Sequence, residues 1–471
     1  MLLDLRIDNG TLITPTRAFR AAIGCAEGRI AVIGDERDLP PARQTIDASG
    51  LLVMPGLIDP HVHMRDPGHT EREDWWHGTC AAAAGGVTCV LEHPNSVPPV
   101  TNLETLAEKK RAAAAQAVVD FGLYGGIGYY DPPHGATGAR RPPRAEDVEA
   151  LARAGVAAFK TFLWPYPDRR DEFDGITTLG LEEMRAVFSL AARTGKVLNV
   201  HAEHKPTVDA AMSRLKDRPR QNALLHEPSR PIEAEQVAVR EAIAMAVETG
   251  ARLNFPHCSG GSVVGLIAAA RRQGQTQITA ETCPHYLFLT DERLRTIGPY
   301  GKINPPLRGQ AEQDELWSHL HAGMVETIGS DHAPHSKAAK EQGWDDIFAA
   351  PAGSPGLETT LPLMLTAVHD GRLTAQDVAR LCSENVAKLY GLYPRKGALM
   401  VGADADIVLI APARRGQFNH TLMRTKGKDS ALLFDGLDYV GAPVATLVRG
   451  RVVMQEGQIV AEAGWGVFVT A

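Results

Sequence analysis

Long apolar runs are missing from this chain of 471 residues. No stretch of about 18 apolar residues occurs, so we expect no membrane-spanning helix and no membrane partner. Residues 1–6 lack the basic start and apolar centre of a signal peptide. Cysteine is scarce as well: the six cysteines are scattered and form no Cys-x-x-Cys pair. This usage is typical of reduced, buried thiols, and we therefore expect a cytoplasmic protein.

The chain also has no excess of basic residues. The 49 Lys and Arg residues are outnumbered by 56 Asp and Glu residues, which gives a net charge of −7. Proteins that bind nucleic acid usually carry a basic surface, so we expect no nucleic-acid partner. The length of the chain favours one large domain with a smaller domain beside it.

At both ends of the chain the apolar residues follow a β pattern. Alternation begins at Leu3, and Asn9-Gly10 marks a turn. Short β-branched runs recur near the C-terminus at 406–410, 444–448 and 452–454. We predict that residues 1–54 and 393–471 fold together into one small β-domain. Two unrelated β-extensions are the alternative.

In the central segment, residues 55–392, short β-rich runs alternate with helix-like stretches. This alternation is typical of a parallel sheet wrapped by helices. The candidate strands are 51–58, 86–91, 117–124, 156–162, 197–200, 252–255, 277–280 and 325–329. Helices are predicted between them, for example at 103–115, 181–193 and 232–249. Eight strand–helix units predict a closed (β/α)8 barrel of the TIM type, an α/β fold. An open doubly wound sheet is the alternative, although no Gly-x-Gly-x-x-Gly follows an early strand.

Two kinds of polar residue stand out along these strands. His61 and His63 follow the first predicted barrel strand, and side chains two apart in an extended segment point the same way. Two ordinary histidines would also explain this pair. Lys160 lies inside an apolar strand, where an unpaired ammonium is costly. It either pairs with a carboxylate or has reacted with CO2 to form a carbamate that bridges two metal ions.

Three further candidate ligands follow predicted strands: His201, His257 and Asp331. Active sites of such barrels lie at the C-terminal ends of the strands, so all six side chains would converge on one mouth. Imidazole and carboxylate donors suit zinc. Two such ions lower the pKa of a shared water, and Asp331 is our candidate to take its proton and pass it to a leaving nitrogen.

With these residues identified, the chain resembles the cyclic amidohydrolases: dihydroorotases, allantoinases and hydantoinases. The resemblance covers nearly the whole chain. It is carried by motifs at 55–63 (PGLIDPHVH), 159–163 (FKTFL), 201–203 (HAE), 281–286 (ETCPHY), 303–308 (INPPLR), 330–335 (SDHAPH) and 402–406 (GADAD). It implies a barrel with a β-sandwich domain, a binuclear site with carboxylated Lys160, Asp331 as catalytic acid and base, and homodimers or homotetramers.

The resemblance also implies which residues contact the substrate. Dihydroorotase-like enzymes grip a substrate carboxylate with an arginine just after His-x-His, matched here by Arg65, and further contacts match Asn95, Asn304 and His335. A guanidinium gives a forked grip on a carboxylate, although a structural ion pair would also explain Arg65. We therefore predict reversible hydrolysis of dihydroorotate to N-carbamoyl aspartate, a reaction of pyrimidine biosynthesis.

Other segments favour a different branch of the same family. Residues 298–302, 344–348 and 392–399 resemble allantoinases, so a neutral cyclic ureide or imide hydrolysed by an allantoinase or a hydantoinase is the alternative. A non-catalytic scaffold is a remote alternative, because relatives of that kind tend to lose metal ligands and all six candidate ligands are present in this chain. Glu92-His93 fits neither branch well, because Asp-Met is common at these positions.

Overall fold

The computed structural model describes residues 2–133, 138–166 and 169–470. Within these ranges, no helix is both long enough and apolar enough to cross a bilayer. All six cysteines are buried and unpaired, which confirms the prediction of free, buried thiols.

The strands fall into three stretches of the chain. The N-terminal strands are β1 (Leu3–Asp8), β2 (Thr11–Ile13), β3 (Ala18–Arg20), β4 (Ala22–Ala26), β5 (Arg29–Gly34), β6 (Ala42–Asp47) and β7 (Leu52–Pro55). The central strands are β8 (Leu57–Val62), β9 (Val87–Glu92), β10 (Asp120–Leu123), β11 (Gly125–Gly126), β12 (Phe159–Phe162), β13 (Val197–His201), β14 (Arg252–Phe255), β15 (Ile278–Thr282) and β16 (Thr327–Ile328). The C-terminal strands are β17 (Ile407–Gln417), β18 (Asp438–Val448), β19 (Arg451–Gln455) and β20 (Gln458–Ile459).

Helices occupy the connections between the central strands and the segment between β16 and β17. They are α1 (Trp75–Ala84), α2 (Leu103–Gln116), α3 (Ala145–Arg153), α4 (Arg170–Phe173), α5 (Gly180–Thr194), α6 (Lys205–Arg214), α7 (His226–Ser229), α8 (Ile232–Thr249), α9 (Gly261–Arg272), α10 (Pro284–Phe288), α11 (Leu294–Ile297), α12 (Gln310–His321), α13 (Lys337–Glu341), α14 (Thr360–His369), α15 (Ala375–Ala379) and α16 (Asn385–Leu389). The three helices named from the sequence are confirmed as α2, α5 and α8. Helix α8 begins after Pro231 and ends at Gly250, whose φ of 75° is accessible to glycine at little cost.

The central strands pair in parallel and in chain order. Strands β8 to β10 form one sheet and β11 to β16 form another. Between these sheets, the amide of Ala157 donates to the carbonyl of Leu123 at 2.9 Å. A parallel bridge joins Val62 to His332, so the last central strand meets the first. The central strands overlap all eight predicted positions, and parallel pairing brings their C-terminal ends to one edge.

The first predicted strand, 51–58, is wrong as a single element, because it divides into β7 and β8. The amide of Gly56 donates to Asp406 at 2.9 Å where the chain passes from one sheet to the other. A side chain cannot fit there, since a Cβ on Gly56 would lie 2.2 Å from the Thr88 side chain. Both halves of the predicted strand are apolar, so the hydrophobic pattern of the sequence does not show where β7 ends and β8 begins.

Strands from both chain ends share one seven-stranded sheet, in the order β20-β19-β18-β17-β7-β2-β3. Here β7 pairs with β17 antiparallel and with β2 in parallel. A four-stranded sheet, β5-β4-β1-β6, contributes Leu5 and Ile23 to a core that also contains Leu409 and Leu447. The last described residues leave these sheets and pack against the central strands, where the amide of Phe121 in β10 donates to the carbonyl of Val467 at 3.0 Å.

Candidate active site

The predicted ligands all lie at or just beyond the C-terminal ends of central strands. His61 lies at the end of β8 and His63 directly follows that strand, Lys160 lies in β12, and His201 is the last residue of β13. His257 and Asp331 follow β14 and β16. All six side chains are buried, and Lys160 is 0% exposed.

Eight of the ten predicted site residues line one cavity, the inner pocket: His61, His63, Arg65, Asn95, His201, His257, Asn304 and Asp331. Lys160 is fully buried, with its Nζ 4.8 Å from the ring centre of Phe162, which also lines the inner pocket. His335 instead lines an adjoining outer cavity of about 690 Å³, and Asn304 lies on both. The structure thus places His335 beside Asn304 on the outer cavity and not in the inner pocket.

Close contacts join the imidazoles to Asp331 and to each other. Asp331 Oδ1 lies 3.3 Å from His61 Nε2 and 3.5 Å from His63 Nε2. His201 Nδ1 lies 3.0 Å from His257 Nε2. Two groups of potential metal-ligand atoms, one from His61, His63 and Asp331 and one from His201 and His257, therefore line the same buried pocket.

Two carboxylates missed by sequence reasoning orient these imidazoles. Glu281 Oε1 lies 3.1 Å from His61 Nδ1, and Glu203 Oε2 lies 2.7 Å from His201 Nε2. Arg230 donates to Glu203 at 2.6 Å. A carboxylate on one ring nitrogen fixes the orientation of the ring and leaves the other nitrogen for a ligand. Both glutamates lie in motifs that carry the family resemblance, and Glu203 follows His201 by two residues.

Three site residues adopt left-handed backbone conformations. Arg65 has a φ of 60°, His257 of 44° and Asp331 of 47°. Such conformations cost energy for residues other than glycine and persist where the surroundings fix them. Asp59 supplies part of that support, because its Oδ1 accepts from the amides of His61 at 3.0 Å and Ser330 at 3.1 Å.

Burial controls the protonation of the site. It lowers the pKa of Lys160 to about 7, against the opposing charges of Asp331 and Glu281. It raises the pKa of Asp331 to about 7, against the charge of Lys160. Burial also holds the pKa of His61 and His63 well below the usual value, so both are neutral at pH 7, the form that ligates metals.

The donor set fits divalent metal ions. Within the described ranges, Lys160 Nζ, His63 Nδ1 and His257 Nδ1 are buried and have no hydrogen-bond partner. Unpaired buried polar atoms are costly, and metal coordination is one way to satisfy such a group. His61 and His63 belong to a buried three-residue group with metal-ligand spacing, whose third member is His93.

Positive charge collects on one side of the inner pocket. Arg65 Nη1 lies 3.5 Å from Glu172 Oε2, Arg72 Nη1 lies 2.9 Å from Glu172 Oε1, and Arg169 Nε donates to the same Oε1 at 3.0 Å. The exposed Glu71 also contacts Arg72 at 3.4 Å. Three guanidinium groups therefore face two carboxylates.

Glu172 remains ionised in this cluster. Burial alone raises the pKa of its carboxyl group, but the hydrogen bond and charge of Arg169, with the charges of Arg65 and Arg72, lower it to about 2. Phe162, Tyr166 and Phe173 line the same pocket as an aromatic wall: the Tyr166 and Phe173 rings stack at 3.7 Å, and the Arg169 guanidinium lies 5.0 Å from the centre of the Phe173 ring. No pattern in the sequence predicts that these charged and aromatic side chains line the same pocket.

Comparison with known proteins agrees with this geometry. Residues 52–453 match the model of the Amidohydrolase family. The chain is 35% identical to an L-hydantoinase of Paenarthrobacter aurescens over 100% of this chain and 98% of that protein. It is 38% identical to an allantoinase of Rubrobacter xylanophilus (97% and 95% covered) and 33% identical to a dihydroorotase of Methanosarcina mazei (99% and 97% covered).

A solved structure extends the similarity to three dimensions. The L-hydantoinase (dihydropyrimidinase) from Arthrobacter aurescens superposes with a TM-score of 0.91 at 34% identity, covering 100% of both chains. These relatives are named as hydrolases of cyclic amides, and the family match spans most of the sequence. The chain therefore belongs to the amidohydrolase family, as a cyclic amidohydrolase of the hydantoinase, allantoinase and dihydroorotase type.

Proposed function

We propose that this enzyme hydrolyses the ring amide of an anionic cyclic ureide, with dihydroorotate as the substrate and N-carbamoyl aspartate as the product. The observation that carries the proposal is Arg65. Its guanidinium lines the inner pocket, and its Nε is buried without a hydrogen-bond partner among the described residues. A substrate carboxylate would satisfy this donor.

The charge balance around Arg65 supports an anionic ligand. Glu172 is shared with Arg72 and Arg169, so the ion pairs do not neutralise all three arginines. The contact between Arg65 and Glu172, at 3.5 Å, is the longest of the three. The guanidinium of Arg65 can therefore turn its forked donors toward a carboxylate in the pocket.

Two asparagines in the inner pocket suit the rest of the ring. The Oδ1 atoms of Asn95 and Asn304 are buried and have no partner in the described part of the chain. A cyclic ureide offers ring N–H groups that would donate to these oxygens. We propose His335 as a contact at the entrance, because it lines the outer cavity beside Asn304.

We propose two divalent metal ions, zinc in the first instance, as the cofactor. The proposed ligands are His61, His63, Lys160 in N-carboxylated form, His201, His257 and Asp331. Their support is the unpartnered Nζ of Lys160 and the short distances among the imidazoles and Asp331. The chemistry that such ions supply when bound is Lewis acidity, which polarises an amide carbonyl and makes a water molecule more acidic.

The residues of this chain then manage the substrate and the proton. Arg65 and the two asparagines hold the ring so that its amide carbonyl faces Asp331. Water adds to the carbonyl carbon while Asp331 accepts its proton. The carbon–nitrogen bond breaks, and Asp331 returns the proton to the departing ring nitrogen. One water is consumed, and the ring opens to a carboxylate and a ureido group.

A neutral cyclic ureide with a larger substituent is the second candidate substrate. The outer cavity of about 690 Å³ adjoins the inner pocket and has room beyond a six-membered ring with one carboxylate. Trp164, Met212 and Phe348 give it apolar walls. Relatives named L-hydantoinase and allantoinase support this candidate and suggest hydantoins and allantoin as the rings to test.

We also propose the full architecture of the enzyme. The central strands would form a closed (β/α)8 barrel, residues 55–392, and both ends of the chain a β-sandwich domain, residues 1–54 and 393–471. The bridge from Val62 to His332 and the sheet shared by β7 and β17 support this division. A homodimer or homotetramer is our proposal for the assembly.

Arg65→Met separates the two candidate substrates. We expect kcat/KM for dihydroorotate to fall about 100-fold, because a charge-assisted contact is worth up to about 3 kcal/mol. The value for hydantoin should stay within about threefold. Steady-state kinetics on both rings, with zinc content measured in parallel, provides the comparison.

Arg65→Lys is the matched control, because lysine keeps the positive charge but lacks the paired N–H donors of the guanidinium. We expect it to retain an intermediate rate on dihydroorotate. Equal losses on dihydroorotate and hydantoin in Arg65→Met would contradict the carboxylate contact and leave Arg65 as a structural partner of Glu172.

A further inference from the structure

Part of the segment between β17 and β18, the C-terminal arm (residues 424–430), lies on the loop that follows β16, the aspartate loop (residues 330–335). Ser430 Oγ donates to the carbonyl of His335 at 2.8 Å. A Cβ on Gly427 would lie 2.7 Å from the proline side chain of the aspartate loop, so a glycine at this position lets the arm lie directly on the loop. The proposed reaction needs the aspartate loop but gives the arm no part.

Glu73 joins the arm to the aspartate loop through both of its carboxylate oxygens. The side chain is fully buried. Oε2 accepts from the hydroxyl of Thr425 and lies 3.2 Å from His332 Nε2. Oε1 accepts from the amides of Asp74 and Lys426, both at 3.2 Å. Each oxygen therefore connects a residue of the arm to a residue outside it.

The ring of His332, the residue after Asp331, is held at both nitrogens. The amide of Gly356 donates to Nδ1 at 3.2 Å. A backbone N–H group can only donate, so Nδ1 is the acceptor of this ring and Nε2 carries the proton. Nε2 therefore donates to Glu73, and the position of the ring depends on where that carboxylate lies.

The backbone of His332 lies beside the proposed metal ligands of β8. Its amide donates to the carbonyl of His61 at 3.2 Å, and its carbonyl accepts from the amide of His63 at 2.8 Å. Asp331, directly before it, has a φ of 47°, a conformation that persists only where the surroundings fix it. A displacement of His332 would therefore shift the Asp331 carboxylate relative to both imidazoles.

We infer that Glu73 and Thr425 are positioning residues that fix Asp331 through His332, so that the C-terminal arm supports the active site. This inference rests on the proposed role of Asp331 in proton transfer. The hydroxyl of Thr425 holds the Glu73 carboxylate, and the carboxylate holds the His332 ring. The ring in turn fixes the backbone that carries Asp331.

The arm keeps other anchors when the hydroxyl of Thr425 is removed. Glu358 Oε2 accepts from the amides of Arg424 at 2.8 Å and Thr425 at 3.4 Å. Lys426 Nζ donates to the carbonyl of Thr70 at 2.6 Å. Loss of the hydroxyl alone should therefore disturb the Glu73 carboxylate without releasing the arm.

Thr425→Val tests the inference, because valine keeps the shape of threonine and removes the hydroxyl. We expect kcat on the best-hydrolysed ring to fall about 10-fold, since a small displacement of a reacting group is enough for such a loss, with KM within about twofold of the wild type. Zinc content and circular dichroism should be unchanged. Thr425→Ser restores the hydroxyl and should return most of the lost kcat. Thr421→Val removes an exposed hydroxyl just before the arm and should leave kcat unchanged.

Glu73→Gln is the second variant and tests the carboxylate itself. Glutamine has one acceptor oxygen and one NH2 group, so it cannot accept on both sides as the carboxylate does. We expect the same pattern, a lower kcat with KM and zinc content unchanged. A wild-type kcat in either variant overturns the inference. A loss that Thr425→Ser shares, or one that accompanies loss of zinc, also overturns it and leaves the arm as a packing element.

Failure of the proposed function would be seen separately, in a zinc-loaded wild type that hydrolyses none of the rings. Crystal structures of the wild type and of Thr425→Val then decide the positioning. We expect the Asp331 carboxylate to move by about 0.5 Å or more relative to His61 and His63, which exceeds the tolerance of a catalytic geometry. An unmoved carboxylate overturns the inference.

Discussion

Asp331→Asn is expected to lower kcat by about 100- to 10,000-fold, the range for loss of a group that transfers a proton. Asparagine matches the shape of aspartate but cannot accept and release a proton. Asp331 Oδ1 lies 3.3 Å from His61 Nε2 and 3.5 Å from His63 Nε2, so the carboxylate occupies the centre of the proposed site. Steady-state kinetics of the zinc-loaded variant on dihydroorotate measures the loss.

Two controls make this result interpretable. Circular dichroism should match the wild type, because the amide can keep the contacts that fix this segment. Zinc content should be measured on the same sample, since Asp331 is also a proposed ligand. A variant that retains zinc and more than about a tenth of the wild-type kcat would require a different group to move the proton.

Lys160→Ala is expected to reduce the zinc content from two ions per chain to at most one and to abolish hydrolysis. Lys160 Nζ is buried with no partner among the described residues, and a carbamate on it would supply two oxygens for bridging ions. Alanine removes the bridge and leaves a space. Elemental analysis and kinetics, after incubation with zinc and bicarbonate, measure both effects.

Lys160→Met is the matched control because methionine fills most of the space left by lysine. Acetate should restore part of the zinc content and rate in Lys160→Ala, where a small carboxylate fits, and not in Lys160→Met. Full occupancy by two zinc ions in Lys160→Ala would contradict the bridging role.

The convergence of the ligands could be predicted because it follows from topology. Parallel strands joined in chain order end at one edge, and closure between the last and the first central strand then gathers the ends of β8, β13 and β14 around one mouth. His61 and His201 lie at the C-terminal ends of β8 and β13, and His257 follows β14 by two residues, so a local pattern visible in the sequence marks all three. The inner pocket, where all three meet, agrees with the prediction.

The partners of His61 and Arg65 could not be predicted, because they come from distant parts of the chain. Glu281 is 220 residues from His61, and Glu172 is 107 residues from Arg65. Nothing in the local sequence pairs them. The sequence marked Glu92-His93 only as a departure from the family pattern, and its packing against His61 emerged from the fold.

The substrate side of the site contains opposing features. Arg65 and Arg169 favour an anionic ring in the inner pocket, whereas Trp164 and Phe348 of the outer cavity favour an apolar substituent. The buried guanidinium of Arg65, whose Nε has no partner among the described residues, is the stronger constraint, because desolvating a charge costs more than leaving an apolar wall in contact with water. We therefore expect the carboxylate to dominate selection.

The most direct test of this account is the hydrolysis rate of the zinc-loaded, bicarbonate-supplemented wild-type protein on dihydroorotate, allantoin, hydantoin and dihydrouracil under one set of conditions. We predict the highest kcat/KM on dihydroorotate and loss of all activity after chelation of the metal. A higher value on any neutral ring would contradict the anionic substrate and assign the enzyme to the hydantoinase or allantoinase branch.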